Sequence, residues 1–147
     1  GEVYIAKREL GRTKAIFDDL SGLRVAGVHG YHYAYAGMKA DPEFLRAEKN
    51  MILATKPAAV IAMVRRGRAD AGIVTLSFLR RYLDNHPGAR DDLLISDRFD
   101  QRYAHRVLVR RGGDPDAATM TALLEELRAT GRLQEVLRAH GLAETGD

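Results

Sequence analysis

The 147 residues include no cysteine, which excludes disulfides, thiolate catalysis and cysteine-ligated metal centres. No apolar run approaches the roughly 20 residues that a membrane-crossing helix needs, so membrane insertion is not expected. The sequence does not open on a secretion leader. An exported form would therefore begin, in this numbering, after a cleavage site or inside a longer chain. Catalytic fingerprints are missing too: there is no nucleophile elbow, no Walker loop and no glycine-rich dinucleotide turn. No pair of catalytic carboxylates stands out, so turnover is not expected. Internal repeats and low-complexity stretches are absent.

What is present is an ordinary globular balance, with 46% apolar and 29% charged residues, enough for one domain or one and a half small lobes. The 23 basic and 20 acidic residues leave a net charge of +3. The basic residues are scattered, apart from Arg65-Arg66-Gly67-Arg68, Arg80-Arg81 and Arg110-Arg111. A nucleic-acid face needs a concentrated stripe, so nucleic acid is not an expected partner.

Periodicity predicts strands and helices in alternation, then two helices. Residues 3–6 alternate as a strand, and 16–20 read as a helical turn closed by Ser21-Gly22. Residues 23–28 are apolar and partly β-branched, the pattern of a buried strand. A helix is expected over 33–39, and another from Asp41-Pro42 through Glu48, with proline in the first helical position. Residues 51–54 and 71–74 are short buried strands. Between them Thr55-Lys56-Pro57 opens a helix whose apolar face is Val60, Ile61 and Val64, closed by Gly67. Residues 77–85 read as a helix with Phe78, Leu79 and Tyr82 inward. Strands are expected at 93–95 and 103–109. The last two helices carry Met120, Leu123, Leu124 and Leu127, then Leu133, Val136 and Leu137.

Strands separated by helices of about ten residues imply an α/β fold, a parallel-type sheet flanked by helices on both faces. Ligands of such folds gather where strands end and helices begin. This points to residues 29–33, 55–57 and 75–77. Within them, Gly30 suits a tight strand-to-helix turn with backbone N–H groups free for an anion. Tyr31, His32 and Tyr33 follow it, and tyrosine faces suit an organic ligand. Thr55 is placed to cap its helix or to donate to a ligand. Thr75 and Ser77 stand at the mouth of the sheet, where capping and ligand contact are both open to them. His29 and His32 have metal-like spacing, but no third ligand stands near them in sequence. Neither a metal site nor a cofactor is expected.

The order of motifs resembles a known family. Asp18-Asp19-Leu20-Ser21-Gly22-Leu23-Arg24-Val25-Ala26-Gly27-Val28 is similar to the entry into lobe two of periplasmic solute-binding proteins of the type II fold, family 3, the polar amino-acid type. Gly30-Tyr31-His32-Tyr33 resembles the turn that follows. Gly67-Arg68-Ala69-Asp70-Ala71 resembles that family's Gly-x-x-Asp-Ala box, whose acid is more often structural than a ligand contact. Residues 103–111 look like its strand returning to lobe one, and residues 131–142 like its closing helix. The likeness runs from about Phe17 to Leu142.

The resemblance implies a periplasmic-binding-protein-like type II lobe with a two-helix C-terminal segment. Residues 1–16 would be hinge strand and linker, 17–102 lobe two, and 103–147 the return strand and C-terminal helices. The implied function is non-catalytic binding of a small polar solute in the periplasm, as the substrate-binding component of an ABC importer, with a permease as partner. A ligand-sensing domain of a signalling protein or transcription regulator is the alternative. The implied ligand contacts are Gly30, Tyr31, His32, Tyr33, Thr55, Thr75 and Ser77. At two places the chain departs from the family. Tyr31 and His32 stand where a carboxylate-binding Thr or Ser is usual, and Thr75 stands where an amine-binding Asp is usual.

The C-terminal helices carry one more expectation. Six leucine or valine side chains of that stripe left in water would forfeit on the order of 10 kcal/mol, against a whole-domain stability of about 5–15 kcal/mol. The stripe should therefore be covered, by folding back on its own sheet, by exchange with another copy or by a missing lobe, and of these a homodimer built through the helices is the favoured expectation.

Overall fold

The computed structural model describes residues 1–142. The chain divides into two units, Gly1–Arg102 and Tyr103–Asp147.

The first unit is built on five strands: β1 (Glu2–Lys7), β2 (Val25–Val28), β3 (Met51–Ala54), β4 (Ala71–Thr75) and β5 (Leu93–Gln101), in the order β3-β2-β4-β1-β5. β2 pairs in parallel with β3 and β4, whereas β1 runs antiparallel to both β4 and β5. The expected parallel sheet is thus a mixed one. Its first strand enters between β4 and β5 against the direction of the rest.

Side chains alternate across the sheet as the pleat requires. Val3 and Ile5 join Val28 and Val74 on one face, beneath Val60, Ile61 and Val64 of α2 (Pro57–Arg65) and Leu79 and Leu83 of α3 (Leu76–Asn85). Tyr4 and Ala6 face the other way, with Val25, Ile73, Phe17, Tyr33 and Leu45. Leu45 comes from α1 (Pro42–Ala47), which Asp41 caps by accepting from the Phe44 N–H at 2.7 Å. α2 lies directly on β4 because position 72 has no side chain. A Cβ on Gly72 would stand 2.9 Å from methyl carbons of both Val60 and Val64.

Three sequence expectations are corrected here. The helix over 33–39 is only a 3-10 turn, Ala34–Ala36. Tyr33 turns into the core instead, and left-handed Gly37 (φ 66°) stops the turn. β5 does not end at Ile95 but continues to Gln101, held by β1 through two shifts of register. Residues 103–109 form no strand; they are irregular backbone at the start of the second unit.

That second unit contains α4 (Ala117–Ala129) and α5 (Arg132–Ala139), separated by Gly131 in the left-handed conformation (φ 76°). Asp116 caps α4 by accepting from the Thr119 N–H at 2.8 Å. Neither helix buries a residue.

Candidate functional site

The mixed topology concentrates chain ends on one edge. β2, β3, β4 and β5 all finish there, and β1 begins there: Glu2 stands opposite Thr75 on one side and Gln101 on the other, while Val28 stands opposite Ala54. The segments after β2, β3 and β4 therefore emerge side by side, with the β2 loop in the middle of the three.

The β2 loop is pinned from two directions. The His29 N–H donates to the Ala54 carbonyl at 2.8 Å. From β5, the Gln101 side-chain amide donates to the His32 carbonyl at 2.7 Å. Gly30 lies between these ties with φ 81° and open space where a Cβ would be, so conformation rather than crowding calls for glycine. The result is an outward bend that leaves Tyr31 and His32 exposed.

Tyr33 closes the bend from inside. It is fully buried, and its hydroxyl accepts from the Val28 N–H at 2.6 Å and donates to the Val28 carbonyl at 3.3 Å. Burial raises this phenol well above its ordinary value. With ring and hydroxyl both committed to the core, Tyr33 offers nothing to a ligand at the edge. It braces the turn, which corrects its sequence assignment as a contact.

Asp100 anchors the continuation of the loop. Only 8% exposed, it accepts from the Tyr4 hydroxyl at 2.6 Å and from the Ala34 and Tyr35 N–H groups at 2.9 and 2.8 Å. Burial, and then the carboxylate partner, push the Tyr4 phenol far above its usual range. Asp100 and Gln101 escaped the sequence reading because a strand ending at residue 95 leaves them in a loop. Their spacing carries no motif that would have marked them.

The remaining expected residues lie on the same edge. Thr75 ends β4 and is the N-cap position of α3, yet its side chain makes no capping hydrogen bond. The ordinary capping role is thus not the one it fills. Ser77 is half-buried in the first turn of α3. Thr55 is exposed after β3, but Lys56 rather than Thr55 occupies the N-cap of α2, and no side-chain cap forms there. The edge therefore brings together Gly30, Tyr31, His32, Thr55, Thr75 and Ser77, and assigns Tyr33 to the interior. Asp70 lies at the opposite end of the sheet, where Arg24 grips it. Among the described residues, no group of three or more histidine or carboxylate side chains is placed to hold a metal ion.

No family model and no curated protein matches the chain. Solved structures do. The L-cystine solute receptor of Neisseria gonorrhoeae, in an unliganded open conformation, is 21% identical; the match covers 97% of this chain and 56% of that one, with a TM-score of 0.62. A mutant of ArgBP from T. maritima is 21% identical over 95% of this chain and 56% of that one, with a TM-score of 0.61. A histidine kinase sensor domain with similarity to periplasmic binding proteins is 21% identical over 96% of this chain and 58% of that one, with a TM-score of 0.57. At such identities the likeness is one of fold. The chain has the α/β fold of a lobe of the type II periplasmic solute-binding proteins. It spans a little over half the length of these three structures.

Proposed function

We propose that this chain is the ligand-binding lobe of a receptor for a small polar solute, which it holds without chemical change. The observation that carries the reading is the shared edge. There a rigidly tied left-handed turn at Gly30 exposes Tyr31 and His32 beside a Thr75 hydroxyl that does not cap its own helix. Open α/β sheets bind ligands at such an edge. Tyr31 supplies a flat apolar face with a polar tip, Thr75 and Ser77 supply hydroxyls, and the Gly30 turn supplies backbone donors. This set suits recognition by hydrogen bonds and stacking.

The role we assign is that of the substrate-binding component of an ABC importer, working in the periplasm with a permease as partner. A second reading, a sensor domain, is favoured by the likeness to a histidine kinase sensor domain over 96% of the chain. Both readings use the same edge. Mass spectrometry of small molecules that co-purify with the protein, followed by titration calorimetry with the solute found, tests them jointly. A bound solute recovered unchanged supports reception. Recovery of a converted product overturns it. The sequence of the intact gene separates importer from sensor: a kinase or helix-turn-helix region downstream would establish signalling.

A further inference from the structure

The end of the sheet opposite the candidate site gathers arginines that are far apart in sequence. The Arg8 N–H donates to the Asp92 carbonyl at 2.8 Å, and the Arg24 guanidinium donates to the Gly67 carbonyl at 3.2 Å. These ties bring the segment after β1, the start of β2, the end of α2 and the approach to β5 into one surface. Some of its charge is neutralised locally, by the Arg12–Glu9, Arg24–Asp70 and Arg65–Asp92 pairs. Arg8, Arg66, Arg68 and Arg90 are exposed there, and none of them is in an ion pair with a carboxylate among the described residues. Asp91, exposed beside Arg90, offsets one of these charges, and the remainder leaves the surface a surplus of positive charge.

Leu10 stands at the tip of the same end, on the turn closed by the Arg12 N–H to Glu9 carbonyl bond. It is 107% exposed, the most exposed of the large apolar side chains. The other exposed large apolar residues of this unit, Tyr31 and Met38, lie in the segment after β2, away from this tip.

We propose that this end of the first unit docks on an anionic lipid surface, with Leu10 entering the interface and the surrounding arginines meeting lipid phosphates. Arginine pairs with phosphate through a planar fork of donors, and basic clusters beside a bilayer are drawn to its negative surface potential. A single apolar tip on a surface with separately exposed arginines fits a fluid sheet of phosphates above acyl chains. A protein partner would require an apolar contact core that one leucine does not provide.

Sedimentation with vesicles of phosphatidylcholine alone, or mixed with phosphatidylglycerol, tests the proposal on the intact chain. Binding is expected to the mixed vesicles only and to fall severalfold in high salt, as screening requires. The Arg66→Glu, Arg68→Glu double variant should lose most of the bound fraction, and Leu10→Ser should lower it severalfold at unchanged net charge. All three positions are exposed, so unchanged circular dichroism melting should accompany both losses. Equal binding to neutral vesicles, no binding to anionic ones, or full binding by both variants would overturn the proposal. Tighter binding to duplex DNA than to the anionic vesicles would also overturn it, assigning the surface to nucleic acid.

Discussion

The Tyr4 hydroxyl donates to the Asp100 carboxylate at 2.6 Å, joining residues 96 positions apart in sequence. The same carboxylate holds the Ala34 and Tyr35 N–H groups. One side chain thus fastens β1, β5 and the segment leaving the candidate site. Replacing it strands three donors, the buried Tyr4 hydroxyl and the part-buried Ala34 and Tyr35 N–H groups, and a buried unsatisfied group costs about 1–3 kcal/mol. Asp100→Ala should lower unfolding free energy by several kcal/mol in urea titrations, and Tyr4→Phe by about 1–2 kcal/mol. A loss under 0.5 kcal/mol for Asp100→Ala would show that the junction does not hold the loop.

Arg24 and Asp70 govern the opposite end of the sheet. The Arg24 guanidinium donates to both carboxylate oxygens, at 3.1 and 2.9 Å, and the Arg24 N–H adds a third bond at 2.9 Å. These donors lower the Asp70 pKa below its ordinary value of 3.8. A carboxylate with a depressed folded-state pKa contributes stability that is present above its unfolded value and is lost as pH falls through the folded one. Part of the acid-side fall in melting temperature, below about pH 4, should therefore disappear in Asp70→Asn. The variant should also be less stable than the parent at pH 7, by no more than about 1 kcal/mol, because the pair is partly solvated. Melting curves between pH 2 and 7 supply the comparison; parallel curves for the two proteins would refute the assignment.

At the candidate site, Tyr31→Ala and Thr75→Ala should each weaken binding of the co-purified solute by roughly tenfold, the effect of about 1.4 kcal/mol. Their far-ultraviolet spectra should stay unchanged, since Tyr31 is exposed and the Thr75 side chain caps nothing. Tyr33→Phe should behave in the opposite way. It removes the hydroxyl from the Val28 backbone groups and so should cost stability first. Calorimetric affinities unchanged in both Tyr31→Ala and Thr75→Ala would remove the edge from consideration.

The helices of the second unit bury none of their residues, and Leu123, Leu127 and Val136 are exposed. We propose that a second copy of the chain covers them. Light scattering at micromolar concentration should then give a dimer mass, and Leu123→Glu with Leu127→Glu should convert it to monomer. A monomer at all concentrations in the unaltered protein is the contrary result.

Much of the fold was legible because neighbours in sequence decide it. The apolar, partly β-branched run over 23–28, the Val60/Ile61/Val64 spacing after Pro57, the Asp41-Pro42 start and the glycine closing α2 are local signals. They are set by period, capping and the tolerance of glycine for left-handed backbone. They placed β2, β3, β4, α1, α2 and α3 within a residue or two, and with them the edge on which Gly30, Thr55, Thr75 and Ser77 stand.

Tertiary structure decided what depends on partners distant along the chain. β1 lies antiparallel between β4 and β5, and that pairing carries β5 on to Gln101, well past its local apolar signal. Once β5 reached the edge, Asp100 was in place to take the N–H groups of Ala34 and Tyr35, and a sequence that reads as helix over 33–39 gave way to a short turn. Tyr33 was drawn into the core because β2 offered it both a backbone donor and a backbone acceptor. Arg8, Arg24, the Arg65–Arg68 cluster and Arg90 lie far apart in sequence and become one surface only because strand and helix ends converge there. Hydrogen-bond partnership and charge density are properties of distances in space, and spacing along the chain does not contain them.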